Sequence, residues 1–199
     1  GYEWAELWLI ATFPSRHYNI DEYPAIKQYL LSFGIERLEQ TGKTHIVNGE
    51  KVKARKRTSN KWFETQDSIS YWEDFSKPKV VYMEIQTDNP EEGYPFPCYS
   101  YDDKSCVVLN TAYIMSSETI DLRYVLGILN SRLGKFLVKL YVTQLQERQF
   151  RMLSQYVTKF PIARPSKEQE TEMIRYVRDV TAYHSKVSEK LIDELAFKI

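Results

Sequence analysis

A run of basic residues that ends in two aromatics carries the clearest chemistry of the sequence. Six basic residues lie between Lys51 and Glu64, with no acid before Glu64. The chain as a whole has 27 basic and 27 acidic residues, so the run concentrates positive charge on a neutral protein. Such a concentration favours the phosphate backbone of a nucleic acid. A solvated loop with scattered charges is the alternative that the pattern leaves open.

The side chains of this run differ in the contacts that they make best. A guanidinium group offers a planar fork that matches guanine or phosphate, whereas an ammonium group is a point charge that suits phosphate. Amide groups match adenine edges, and an indole ring can stack on a base. The candidate nucleic-acid-contacting residues are Lys53, Arg55, Lys56, Arg57, Asn60, Lys61, Trp62 and Gln66.

The motifs of common enzymes do not occur in the sequence. It has no glycine-rich phosphate loop, and the two residues Asn89 and Pro90 are followed by acids where an adenine-binding motif needs an aromatic. Its three histidines, His17, His45 and His184, lie far apart, and no Cys/His cluster has zinc spacing. We therefore expect no catalytic residue, no metal site and no cofactor site in this chain.

Composition places the chain among ordinary globular proteins. Its 199 residues suffice for one sizeable core, or for one domain with an appendage. No apolar run approaches the ~20 residues that span a bilayer, and acids occupy the start where an export signal has basic residues. Cys98 and Cys106 are expected to be free thiols in a reducing cytosol. We expect a cytoplasmic protein and, since the chain begins without Met, a fragment of a larger one.

The hydrophobic periodicity predicts an α/β (α+β) fold with a small mixed sheet, flanking helices and a long C-terminal helix. The basic run is expected to be a loop that leads into a strand. Short strands are predicted at 8–13, 79–85, 106–110 and 112–115, with 99–101 joined to 106–110 as a hairpin. Helices are predicted after Asp21, with an apolar face through Ile26, and from 121 to about 141.

A capping-box pattern, Ser166 followed by Gln169, predicts the start of the C-terminal helix. Its apolar residues are spaced alternately by four and three, as at coiled-coil core positions. These residues, which we expect to be buried against protein, are Met173, Val177, Val180, Val187 and Leu191.

Residues 61–82 also carry a family resemblance. They contain Lys-Trp-Phe-Glu, then an aromatic-acid-aromatic segment around 71–75, then Lys-Pro-Lys before an apolar strand. This pattern resembles the TaqI-like C-terminal specificity domain of adenine-N6 DNA methyltransferases and fused restriction-modification enzymes. The agreement continues in order at 9–14, 23–27, 126–133 and 155–162. The segments 89–97 and 144–151 depart from the pattern, which leaves the target sequence open.

The resemblance implies a target recognition domain that binds double-stranded DNA against a methyltransferase domain of the same chain. From the resemblance together with the C-terminal pattern, we expect a target recognition domain at 1–163 and a helix at 164–199 that packs on this or a neighbouring domain. A parent enzyme of the type II restriction class would use S-adenosylmethionine at a site outside this chain. An alternative of another class is a protein-interaction module that assembles subunits through the C-terminal helix.

Overall fold

A computed structural model describes residues 5–199, apart from the side chain of Glu92. The chain forms two compact units: a smaller one at 6–72 and a larger one that contains 73–199. The boundary predicted at 163/164 falls inside the larger unit. In the described part of the chain, no helix combines the length and the apolar character that a bilayer span requires.

The smaller unit is built from short elements. They are the 3-10 helices Pro14–Arg16 and Ile20–Glu22, the α-helices α1 (Pro24–Leu31) and α2 (Ile35–Leu38), and the strands β1 (Thr44–Val47) and β2 (Glu50–Lys53). The predicted helix after Asp21 is thus split in two, because Gly34 adopts a φ of 87° between its halves. No strand forms at 8–13.

The strands β1 and β2 form an antiparallel hairpin. They are joined by Asn48 and Gly49, whose φ angles of 51° and 83° are those of the two-residue turn that suits the twist of a hairpin. The first part of the basic run is therefore a strand, where the sequence analysis expected a loop. An Asn-Gly pair between alternating apolar residues was the signal that predicts it.

In its described residues, the larger unit contains two three-stranded antiparallel sheets and five α-helices. The first sheet has the order β5-β3-β6 and the second β4-β8-β7. The strands are β3 (Lys79–Met83), β4 (Ile85–Thr87), β5 (Tyr99–Asp102), β6 (Ala112–Met115), β7 (Gln144–Gln146) and β8 (Gln149–Arg151). The helices are α3 (Leu122–Asn130), α4 (Arg132–Tyr141), α5 (Ser154–Val157), α6 (Lys167–Tyr183) and α7 (Lys186–Ala196). The mixed α/β class and the long C-terminal helix are confirmed.

The core of the larger unit lies around α3, in which seven of nine residues are buried. A Cβ atom on Gly127 of α3 would lie only 2.4 Å from the sulfur of Met173 on α6. Any larger residue at this position would have to displace the Met173 side chain, so the close packing of the two helices favours glycine. The C-terminal helix thus belongs to the core of the larger unit.

The single helix predicted at 121–141 is broken at Ser131. The Ser131 hydroxyl donates to the carbonyl oxygen of Ile128 and accepts from the backbone N–H of Gly134, at 2.6 and 3.2 Å. It thereby ends α3 and caps α4. The break changes the direction of the apolar face, and Phe136 and Leu140 of α4 are 59% and 62% exposed.

The strand predicted at 106–110 does not form. The Asp102 carboxylate accepts hydrogen bonds from the backbone N–H groups of Lys104 and Cys106, at 2.9 and 3.0 Å. These bonds turn the chain after β5 and compete with a strand ladder. As a result β5 pairs with β3.

The C-terminal apolar seam is interrupted at His184, which has a φ of 51° and ends α6. Ser185 then caps α7, which packs back on α6. Of the predicted seam, Met173 and Val177 are buried, and Val180 and Leu191 pack partly buried against the core. Val187 is 71% exposed in this chain because the turn at His184 breaks the helical register, and its burial against a neighbouring domain stays a prediction.

Candidate nucleic-acid interface

The segment Lys61-Trp62-Phe63-Glu64 forms a tight turn in the smaller unit. The buried carboxylate of Glu64 accepts a hydrogen bond from the backbone N–H of Lys61 at 2.7 Å, and the Glu64 N–H donates to the Lys61 carbonyl at 3.1 Å. This reciprocal pairing holds the turn closed. The carbonyl oxygens of the turn accept hydrogen bonds from side chains elsewhere in the smaller unit.

The guanidinium group of Arg55 binds this turn. It donates to the carbonyl oxygens of Leu38, Glu64 and Trp62, at 2.8, 2.9 and 2.5 Å. Partial burial lowers the pKa of Arg55. Arg55 thus ties the end of the hairpin to the 61–64 turn, which is a positioning role. The DNA contact predicted for Arg55 stays a prediction.

Two amide side chains complete the same network. Asn60 donates both amide hydrogens to backbone carbonyls, those of Thr65 and Gln66, at 3.1 and 2.8 Å. Gln40, which is buried, donates to the carbonyls of Lys61 and Glu64, at 3.0 and 2.9 Å. Sequence reasoning missed Gln40, because its partners lie more than twenty residues away and no local pattern marks it.

Four predicted contact residues present their charge to solvent. Within the part of the chain that the structure describes, no carboxylate lies at ion-pair distance from them or from Lys51. Positive charge on this surface is therefore not offset by local partners. The four residues are Lys53, Lys56, Arg57 and Lys61.

The remaining two predicted residues flank this surface. Trp62 is half-buried, and its ring lies edge-on to that of Phe63 with 5.6 Å between the centroids. Gln66 is also half-buried, and its amide nitrogen lies 3.5 Å from a carboxylate oxygen of Asp67. All eight predicted residues therefore lie in the segment 53–66. Two of them, Arg55 and Asn60, are fixed by hydrogen bonds to backbone carbonyls.

Two lysines of α4, unlike the lysines of the basic surface, form ion pairs. Lys135 and Lys139 both bind Asp88, at 2.6 and 2.8 Å. Burial acts to raise the pKa of Asp88, but the two ammonium groups outweigh it, and the pKa of Asp88 is lowered. The positive charge of α4 is thus partly neutralised, in contrast to that of the basic surface on the smaller unit.

Among the described residues, no group of three or more His, Cys, Asp or Glu side chains is placed to hold a metal ion. The described part of the chain thus has an α/β fold whose smaller unit carries a strongly basic surface. The family model of the TaqI-like C-terminal specificity domain matches residues 19–162. The chain belongs to this family, and the match confirms the resemblance found in the sequence.

Two of the segments that carried the resemblance, 126–133 and the end of 61–82, have structural roles in the larger unit. The Asn130 side chain bridges the backbone of Tyr99, accepting from its N–H and donating to its carbonyl, each at 2.9 Å. It joins α3 to β5, beside the glycine contact at Gly127 and the cap at Ser131. The second lysine of Lys-Pro-Lys, Lys79, is fully buried and pairs with Asp102.

Proposed function

We propose that this chain is the site-specific, double-stranded DNA recognition domain of a restriction-modification adenine methyltransferase. Membership of a specificity-domain family supports the proposal. The observation that carries it is the basic surface of the smaller unit, on which exposed cations have no described carboxylate at ion-pair distance. Seven basic residues and one acid lie between Lys43 and Lys61, in a chain that is neutral overall.

The basic residues differ in the DNA contacts that their positions allow. Lys53, Lys56 and Lys61 carry exposed point charges that suit phosphate groups. Arg57 is exposed and has no described carboxylate at ion-pair distance, so its fork is available for a guanine edge or a phosphate. Arg55 holds the hairpin and the turn in place.

The proposal assigns catalysis to a methyltransferase domain that uses S-adenosylmethionine outside these 199 residues. DNA recognition and methyl transfer would then occupy different parts of one cytoplasmic enzyme of the type II restriction class. The recognition domain itself is expected to transfer no methyl group and to cut no DNA.

Binding-site selection tests the proposal directly. The chain is mixed with a random duplex library at low salt, bound DNA is recovered and amplified over several rounds, and the products are sequenced. We expect one recurring sequence, bound more tightly than a scrambled duplex of equal length and composition. Equal affinity for both duplexes at every salt concentration would overturn site-specific recognition.

A second candidate is a protein-interaction module, and exposed apolar side chains at the C-terminal helices favour it. Tyr183, Val187 and Phe197 are 79%, 71% and 60% exposed. Sedimentation across a concentration range separates the two functions. A concentration-dependent oligomer without duplex affinity would support the interaction module, and a monomer that binds duplex DNA would support the recognition domain.

A further inference from the structure

The β1–β2 hairpin has two faces of different character. The register places Thr44 opposite Lys53 and Ile46 opposite Lys51, and all four side chains are exposed. The other face carries His45 opposite Val52, and both are half-buried. One face of the ribbon therefore packs on the smaller unit, and the other presents two lysines, a hydroxyl and an isoleucine to solvent.

Ile46 is the unusual member of the exposed face, with 66% of its surface accessible. A β-branched apolar side chain next to cations does not contribute to the core. Such a surface is complementary to a ligand that presents an apolar group between anionic groups. The major groove offers such a group at thymine, whose C5-methyl group lies between two phosphate backbones.

The ribbon is held at its base and open at its tip. The base is closed by backbone hydrogen bonds from Gly42 to Arg55 and from Ala54 to Lys43, at 2.8 and 2.9 Å. At the tip, a Cβ atom added to Gly49 would meet no described atom within 4 Å. A two-stranded ribbon fits the major groove, which is about 12 Å wide.

We propose that the β1–β2 hairpin enters the major groove and that Ile46 contacts the methyl group of a thymine. This inference rests on the proposed function and names the element that reads the base. Lys51 and Lys53 lie beside Ile46 on the neighbouring strand β2 and bind phosphates at one edge of the groove. Arg55 keeps the ribbon at a fixed angle, because its guanidinium group is bound to the 61–64 turn.

A thymine-to-deoxyuridine scan of the selected duplex tests the inference, since uracil lacks only the methyl group. For the unaltered chain, one position should weaken binding about fourfold, which corresponds to about 0.8 kcal/mol for one buried methyl-sized group. The Ile46→Ala chain should bind the thymine duplex more weakly and lose its response at that position. Ile85→Ala, which alters an exposed isoleucine on β4, is the matched control and should keep the response.

The outcomes separate this inference from the proposed function. If the chain selects a sequence but Ile46→Ala responds to every deoxyuridine as the unaltered chain does, the hairpin assignment is overturned and site-specific recognition stands. If the chain selects no recurring sequence, the proposed function is contradicted, and the hairpin assignment that rests on it is overturned as well. Equal Ile46-dependent binding to anionic lipid vesicles would also overturn the assignment, because it would show a general apolar-cationic surface.

Discussion

Arg55 and Arg57 lie two residues apart and have the same chemistry, yet the fold uses them differently. Arg55 is half-buried, and its guanidinium group binds three carbonyls that converge from α2 and the 61–64 turn. Arg57 is exposed, with no described carboxylate beside it. A planar fork suits the first position, since an ammonium group cannot reach three separate acceptors in the same geometry.

Replacing Arg55 by lysine should therefore lower the free energy of unfolding of the smaller unit by about 1–3 kcal/mol, because the half-buried carbonyls of Leu38 and Trp62 lose their guanidinium donor. Arg57→Lys is the matched control and should change stability by less than about 0.5 kcal/mol, as exposed substitutions do. Urea unfolding followed by tryptophan fluorescence measures both. Equal stability of the two variants would contradict the positioning role of Arg55.

At the scale of elements, a buried ion pair joins β3 to β5. Lys79 is fully buried, donates to the carbonyl of Phe75 at 2.8 Å and pairs with Asp102. Burial acts to raise the pKa of Asp102, but Lys79 and the N–H groups of Lys104 and Cys106 outweigh it, so that the pKa is lowered. The resulting stability is present above the ordinary pKa of aspartate and is lost as the pH falls through the lowered value.

Lys79→Met should destabilise the larger unit by about 3–5 kcal/mol at neutral pH, because it leaves the Asp102 carboxylate without its buried partner. The double variant Lys79→Met with Asp102→Asn should recover most of that loss, since both charges are then removed while a side-chain oxygen still accepts a hydrogen bond in the turn after β5. Thermal unfolding of the two variants beside the unaltered chain gives the comparison. A double variant as unstable as the single one would show that the loss comes from packing and not from an unpaired charge.

The elements that follow local patterns could be predicted from sequence. The cap at Ser166 and the strands β3 and β6 depend on nearby residues. The segments that resemble the family could also be recognised in the sequence. The break at Ser131 was missed because Leu129 and Leu133 keep a helical spacing across it. Composition pointed to the basic residues of the candidate site, whose DNA contacts stay a prediction, but not to Gln40, since its hydrogen bonds span 21 and 24 residues.

At the scale of the whole molecule, the distribution of charge matters more than its sum. Positive and negative residues balance over 199 positions, yet the smaller unit concentrates cations between Lys43 and Lys61. Lysines elsewhere, such as Lys27, Lys135 and Lys186, have carboxylate partners. DNA binding by such a surface releases counterions from phosphates, and its affinity must therefore fall steeply with salt.

The most direct test of this account is the salt dependence of duplex binding for two charge-matched triple variants. Lys53→Ala, Lys56→Ala and Lys61→Ala remove three charges from the basic surface, and Lys167→Ala, Lys186→Ala and Lys190→Ala remove three from α6 and α7. The first variant should bind more weakly, and its slope of log affinity against log salt should be shallower by about one unit per lost phosphate contact. The second should keep the slope of the unaltered chain. If the first variant keeps both affinity and slope, the smaller unit does not bind DNA through this surface, and the account is contradicted.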